Sequence, residues 1–284
     1  VPTAELPGAA LPYEITGPPD GEPLVMVMGT GASGRAWHLH QVPALAAAGF
    51  RTITFDARGV AGTAPCPDGI TIEDLVGDVA GLIGLLGTGS AHVVGTSLGA
   101  RVTQELALTR PELVRSAVAL AAHARLDPVQ RAHTEGEIAL IDAGVELPAR
   151  YRAAVEAVLN LAPATLADAR TANDWLDVLE FAAGRAGPGL RAQLAVSETL
   201  GDRRDAYRDI RVPLLVVGFA QDRVIPPALS REVADVVPGA VHAEIADAGH
   251  YGYLEQPEQV NRLIVDFLLS NRRRVQCASS RSDT

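Results

Sequence analysis

The sequence contains no lysine; all 24 of its basic residues are arginine. That uniformity reads as the codon bias of a GC-rich genome and carries no mechanism of its own. Cysteine is almost as scarce. Cys66 and Cys277 lie far apart, which excludes a disulfide framework and the close Cys/His spacing of a zinc site. A basic balance is missing too: 34 acidic side chains against 24 basic ones leave a formal charge of −10. Nucleic acid and anionic membranes repel such a chain, so neither is expected as its main partner. Aromatic residues make up only 4% of the chain, so alanine, leucine and valine must carry most of the packing. There is no run of about 18 or more apolar residues, the length a membrane helix needs. The first residues show no basic segment leading into an apolar core, so no signal peptide is expected and the default location is cytoplasmic.

What the chain does have is alternation. At 284 residues it has the size of one large α/β unit. Short β-branched runs take turns with helical periodicity, the pattern of a mostly parallel, doubly wound sheet covered on both faces. Strands are expected over 23–28, 50–55, 91–94, 114–121, 214–218 and 241–245, and helices over 37–48, 72–86, 100–108, 227–237 and 257–270. Thr71 with Asp74 three residues on resembles a capping box. From about Leu126 to Arg204 there is no strand pattern, only alanine-rich helical stretches broken at Gly144, Pro148, Pro163 and Gly187-Pro188. The expectation is a core of residues 1–122 and 209–270, a helical cap inserted at 123–208, and a polar, disordered tail at 271–284.

Gly95-Thr96-Ser97-Leu98-Gly99 lies between a strand pattern and a helix pattern. A Gly-x-Ser-x-Gly turn in that setting is a nucleophile elbow: the glycines clear space for a sharp turn, and the helix behind it offers free N–H groups to developing negative charge. Serine needs a base, and the base needs an orienting acid. Both follow in chain order at later strand ends, Asp222 after the strand at 214–218 and His250 after the strand at 241–245. Asp247 competes for the role of acid; Asp222 is preferred because it has a strand end of its own. A tetrahedral intermediate also needs oxyanion donors. Leu98 N–H is one, and Thr30 N–H, from the glycine-rich loop Met28-Gly29-Thr30-Gly31, is taken as the second.

Three other features carry no site. His38 and His40, two apart on a helix, face away from each other and do not make a metal site. Gly29-Thr30-Gly31-Ala32-Ser33-Gly34 imitates a dinucleotide fingerprint, but its last glycine comes one position early and only Asp56 offers itself as a ribose partner. No cofactor and no metal are therefore expected. Asp56-Ala57-Arg58-Gly59 reads as a structural loop whose Asp and Arg tie backbone groups together.

With these residues in place, the chain resembles the α/β-hydrolase superfamily over about residues 20–270. The elbow is one match. Trp37 with Pro43, Leu45 and Gly49 is similar to the family's first helix, and Gly249-His250, Glu255, Pro257 and Phe267-Leu268 are similar to its histidine loop and last helix. The resemblance implies that Ser97 is the nucleophile, His250 the base and Asp222 the acid, with the amides of Thr30 and Leu98 as oxyanion hole. Departures are visible. Met28-Gly29 stands where His-Gly is usual, Thr96 where His or Tyr is frequent, Ala100 where a second glycine is common, and Val60-Ala61-Gly62-Thr63 where the family has a tighter Gly-x-Gly-x-Ser. Serine at the elbow argues against the dehalogenases and epoxide hydrolases of this fold, which use Asp. The expected function is a serine hydrolase that cleaves an ester, lactone or thioester of a mainly apolar small molecule through an acyl-enzyme. Met28, Tyr151, Trp175 and Phe181 are expected to contact that substrate, and a homo-oligomer fits the sequence. Two alternatives stand beside it: a non-hydrolytic tailoring step on the same fold (cyclisation, lyase or cofactor-free peroxidase chemistry) in secondary metabolism, and a non-catalytic ligand-binding protein.

Overall fold

The computed structural model of the chain describes residues 1–60, 63, 66, 69–182 and 187–279, the side chains of 273–279 excepted. Eight strands form one sheet: β1 (Thr3–Leu6), β2 (Ala9–Thr16), β3 (Glu22–Val27), β4 (Phe50–Phe55), β5 (Ala91–Thr96), β6 (Val114–Leu120), β7 (Leu214–Phe219) and β8 (Val241–Ile245). Their order is β1-β2-β4-β3-β5-β6-β7-β8. β1 and β2 join antiparallel; from β4 to β8 every pairing is parallel. The hairpin of β1 and β2 escapes a reading by periodicity because alanine and proline, poor strand formers, fill much of it.

Side chains alternate between two cores, as a strand's period of two requires. Val25, Val27, Ile53, Val93 and Ala117 pack under α2 (Ile72–Leu85) and α3 (Leu98–Thr109). Leu24, Met26, Phe50, Val94 and Val118 pack under α1 (Gln41–Ala47) and α12 (Pro257–Ser279). Thr71 caps α2 in a full capping box with Asp74. The single helix expected over 37–48 is in fact a 3₁₀ turn at Gly34–Leu39 followed by α1. Pro43 accounts for the break: it has no N–H to give the carbonyl of Leu39, and its ring crowds that group.

Between β6 and β7 the chain leaves the sheet for α4 (Pro128–Asp142), α5 (Ala149–Asn160), α6 (Pro163–Ala167), α7 (Ala169–Ala182), α8 (Pro188–Thr199) and α9 (Arg204–Tyr207). α10 (Pro227–Val236) follows β7 and α11 (Gly252–Glu255) follows β8. α12 continues through Ser279, past the end at 270 read from the sequence, so the backbone is helical where a disordered tail was expected. Residues 280–284 of that tail, like Ala61 and Gly62 of the loop after Arg58, lie outside the described residues.

The Asp56–Gly59 loop is the tie its composition suggests. Asp56 Oδ1 accepts from Ser33 Oγ (2.7 Å) and Gly34 N (2.9 Å). Arg58 makes two 2.7 Å bonds to Asp78 and also donates to the carbonyls of Pro7 and Gly8.

Glu22, at the start of β3, is a second tie. Its Oε2 lies 3.1 Å from His92 Nε2 and its Oε1 lies 3.1 Å from Arg272 Nε. The His92 hydrogen bond outweighs the cost of burial and holds the Glu22 carboxyl below its ordinary 4.5. A carboxyl lowered on folding stabilises the native state fully above its unfolded pKa, and that gain is lost as pH falls through the native value. Glu22→Gln is therefore expected to lower stability by about 1 kcal/mol near neutral pH. Urea midpoints of the two proteins should converge as the pH is taken below 4.5.

Candidate active site

Chain order reverses at β3: β4 lies on one side of it and β5 on the other. Open α/β sheets bind ligands outside the carboxyl ends of the strands at such a switch point. The loop after β3 and the turn after β5 meet at this point.

Ser97 occupies the turn from β5 to α3 with φ 57° and ψ −118°, a conformation that costs a non-glycine residue about 1–3 kcal/mol. Its N–H donates to Leu120 O (3.0 Å), and its carbonyl accepts the first α3 bond from Arg101 N (3.1 Å). The flanking glycines are required by contact. A Cβ at Gly95 would lie 2.1 Å from Gly99 O, and one at Gly99 would lie 2.2 Å from Val27 O. The loop after β3 also passes close by, since a Cβ at Gly29 would sit 3.2 Å from Ser97 Cβ and 3.8 Å from Ser97 Oγ. Thr30 and Leu98, the two expected oxyanion donors, are therefore the residues directly following two backbones that meet at Ser97.

Asp222 and His250 come together at the same edge. His250 Nδ1 lies 2.8 Å from Asp222 Oδ2, and the two residues are 7% and 5% exposed. The other carboxylate oxygen, Oδ1, accepts from Val224 N and Ile225 N, each at 2.8 Å, so the acid has one oxygen left for the imidazole. Because a carboxylate only accepts, Nδ1 must carry the proton, and in the neutral ring Nε2 is then a free base. The two loops are stitched to each other by Ala220 N to Ile245 O and Gln221 N to Ala248 O, both 2.9 Å. Asp247 does not share in this. It is exposed, has φ 52°, and gives its carbonyl to Gln256; it is a turn residue.

The helical segment is fastened to this edge from two sides. Glu255 Oε2 accepts from Gly249 N (2.7 Å), while its Oε1 accepts from Ala162 N (2.8 Å) and Thr165 Oγ1 (2.6 Å). Tyr251 N donates to Asn160 O (3.0 Å). On the opposite side Gln193 of α8 accepts from Gly31 N (2.7 Å) and donates to Arg58 O (2.5 Å).

The expected substrate contacts fare unevenly. Phe181 is 95% exposed and Tyr151 56% exposed; both sit on outward faces of their helices, so neither lines an enclosed pocket over Ser97. Helical periodicity could not assign inner and outer faces in α5 and α7, whose apolar side chains serve both. Trp175 is half-buried and packs with Ala153, Ala157, Leu161, Leu179 and Tyr251, and the Tyr251 ring centroid is 6.2 Å from that of His250. Met28 is buried in the core with Met26 and Trp37. Sequence reading missed Gln193, Tyr251 and His123. His123 follows β6 at the same edge and is 2% exposed. Burial above all, then the Arg101 guanidinium, push its imidazole well below the ordinary range. Its place after a strand end was the available signal.

Glu255 accepts from two main-chain N–H groups, those of Gly249 and Ala162, and each such group left unmet inside the protein costs about 1–3 kcal/mol. Glu255→Ala should lower the unfolding free energy by about 2–4 kcal/mol, measured by denaturant titration. Glu255→Gln, which keeps one acceptor oxygen, should lose less.

Comparison with known proteins agrees with this architecture. Residues 24–263 match the family model described as Alpha/beta hydrolase family. The chain is 44% identical over 250 residues to a protein of Mycobacterium tuberculosis provisionally named non-heme bromoperoxidase BpoC, a match covering 88% of this chain and 95% of that one. The crystal structure of BpoC superposes with a TM-score of 0.88, covering 92% of this chain and 96% of the other. A protein of Variovorax paradoxus provisionally named carbamate hydrolase RutD is 29% identical, over 91% of this chain and 96% of its own. The enol-lactonase of Burkholderia xenovorans is 26% identical with a TM-score of 0.78, over 94% and 100% of the two chains. With the elbow, the sheet order and this family match in agreement, the chain belongs to the alpha/beta hydrolase family.

Proposed function

We propose that the protein is a serine hydrolase that cleaves an ester, lactone or thioester of a mainly apolar small molecule through an acyl-enzyme. The observation that carries this reading is the 2.8 Å contact between His250 Nδ1 and Asp222 Oδ2, made at the sheet edge that also holds Ser97 in its strained turn. The contact leaves His250 Nε2 as the atom able to take a proton. Ser97 Oγ attacks the carbonyl carbon, His250 takes its proton, and the amides of Leu98 and Thr30 receive the negative oxygen. Collapse expels the leaving group with the proton from His250. Water then attacks the acyl-enzyme, His250 takes a proton from it, and the acid departs. Asp222 fixes the tautomer and stabilises the imidazolium without itself being protonated. The half-buried aromatic and aliphatic surface around Trp175 and Tyr251 suits an apolar group. The enol-lactonase among the structural relatives fits a lactone within this substrate range.

A second reading is favoured by the similarity to a protein bearing the name non-heme bromoperoxidase. If hydrogen peroxide replaces water as attacker of the acyl-enzyme, one peroxide oxygen bonds to the acyl carbon and Ser97 Oγ leaves with a proton. The product is a peracid, an oxidant made without a cofactor. The two readings share the first half-reaction and part at the second.

The test is labelling of Ser97 by a fluorophosphonate, with turnover of p-nitrophenyl butyrate in water and in added peroxide. Wild type should label and release p-nitrophenol. Ser97→Ala and His250→Ala should each lose about 10³-fold or more in kcat. Asp222→Asn should lose less than either, and Asp247→Asn should stay within about twofold of wild type. Absence of labelling together with absence of turnover would remove the hydrolase reading and leave a ligand-binding protein. Faster acyl transfer to peroxide than to water would select the second reading.

A further inference from the structure

We propose that Gln193, on α8, is a positioning residue for the oxyanion loop: its side-chain amide holds the Thr30–Gly31 peptide in one of two orientations and thereby sets the second oxyanion donor. This rests on the serine-hydrolase reading above.

Residues 29–32 form a turn closed by Ala32 N to Gly29 O at 3.3 Å. Gly31 has φ 70°, whereas Thr30 does not share that region. This is the pattern of a type II turn, which differs from type I by a flip of the central peptide. The central peptide here is Thr30–Gly31. Its N–H, on Gly31, donates to Gln193 Oε1 at 2.7 Å. The other end of the amide, Nε2, donates to Arg58 O at 2.5 Å.

These two bonds fix each other. A carbonyl such as Arg58 O only accepts, so Nε2 must face it, and Oε1 must then face the turn. Only an N–H satisfies Oε1. A flipped turn would place the Thr30 carbonyl against Oε1, two acceptors face to face. Gln193 is 1% exposed, so solvent could not relieve that conflict. The seating of α8 is equally close: a Cβ at Gly59 would lie 2.5 Å from Gly189 O, and one at Gly189 would lie 2.3 Å from Gly59 O. At Gly31 a Cβ would be 3.0 Å from Leu190 Cδ1. At Gly59 no side chain separates α8 from the loop it holds. With its amide committed to Gln193, Gly31 is withdrawn as an oxyanion donor, and Thr30 remains. Met28, preceding Gly29, offers the loop no side-chain hydrogen bond, so the orienting group comes from the helical segment instead. Seating of that segment and readiness of the oxyanion hole become one event.

The test compares wild type with Gln193→Met, which keeps the length of the side chain and loses both bonds, and Gln193→Glu. The readouts are the rate of Ser97 labelling by a fluorophosphonate and the kcat and KM for p-nitrophenyl butyrate. Gln193→Met should label and turn over about 10–100-fold more slowly, with KM within about twofold. Gln193→Glu should be slow at alkaline pH, where its carboxylate faces Arg58 O. Its rate relative to wild type should rise as pH falls, because a protonated carboxyl can again donate to that carbonyl. A packing peg would instead shift stability or KM and leave kcat and the rate ratio flat across pH. Labelling of Gln193→Met at the wild-type rate overturns the inference while leaving the nucleophile standing. A wild type that does not label overturns both. If Gln193→Met does not fold, the pH dependence of the Gln193→Glu ratio decides.

Discussion

Two stretches of backbone meet with no side chain between them where β3 runs into its loop beside the start of α3. A methyl group on Gly99 would lie 2.2 Å from Val27 O, and one on Gly95 would lie 2.1 Å from Gly99 O. This contact brings the loop after β3 against Ser97, and it is possible only because β5 ends in a turn tight enough to start a helix at once. The parallel register makes the approach permanent: Val27 pairs with Gly95 and Thr96 with Leu120, so neither the loop nor the elbow can slide without breaking the central ladder. Ser97, both proposed oxyanion amides and the strand ends carrying Asp222 and His250 inherit their positions from that ladder.

Side chains complete what the ladder begins, and two of them run in opposite directions. Glu255 belongs to the core and reaches the helical segment at Ala162 and Thr165; Gln193 belongs to the segment and reaches the core at Gly31 and Arg58. Each binds main-chain groups in fixed directions, so each joint has a geometry and not merely an attraction. The histidine loop is held by one and the loop after β3 by the other.

The central strands, the cover on both faces of the sheet and the capping box at Thr71 were legible in the sequence because each follows from a local rule, and the placement of Ser97, Asp222 and His250 at one sheet edge was legible because each follows a strand. The hairpin of β1 and β2 was not, since alanine, glutamate and proline make up half of its strand residues and its shape comes from the pairing of β1 with β2 and of β2 with β4. Pro43 was read as part of a family pattern when it also sits in the first turn of a new helix, where a proline is tolerated. Gln193 could not be found from spacing at all: its partners are 162 and 135 positions away in the chain. Tyr151 and Phe181 misled for a related reason. Both are large and apolar, and a chain with few aromatics invites the assumption that each has a buried partner, yet surface apolar residues are ordinary.

Strain is distributed in this molecule with the same logic. Among the described residues, three that are not glycine have positive φ: Ser97, Ala121 and Asp247. They follow β5, β6 and β8, at the carboxyl edge, while the opposite edge has none among those residues. Each such conformation costs about 1–3 kcal/mol and persists only where the surroundings enforce it. At Ser97 the ladder bond to Leu120 enforces it; at Ala121 the bond to Val217 O does; at Asp247 the adjoining bond from Gln221 to Ala248 O does. Relaxed turns would have spread these strand ends apart. The strained ones turn the chain back within a residue or two, which keeps Ser97, His123 and His250, drawn from three separate strands, at one edge of the sheet. The sheet supplies the stability that this requires, and the edge it holds in tension is the edge where the chemistry is proposed to occur.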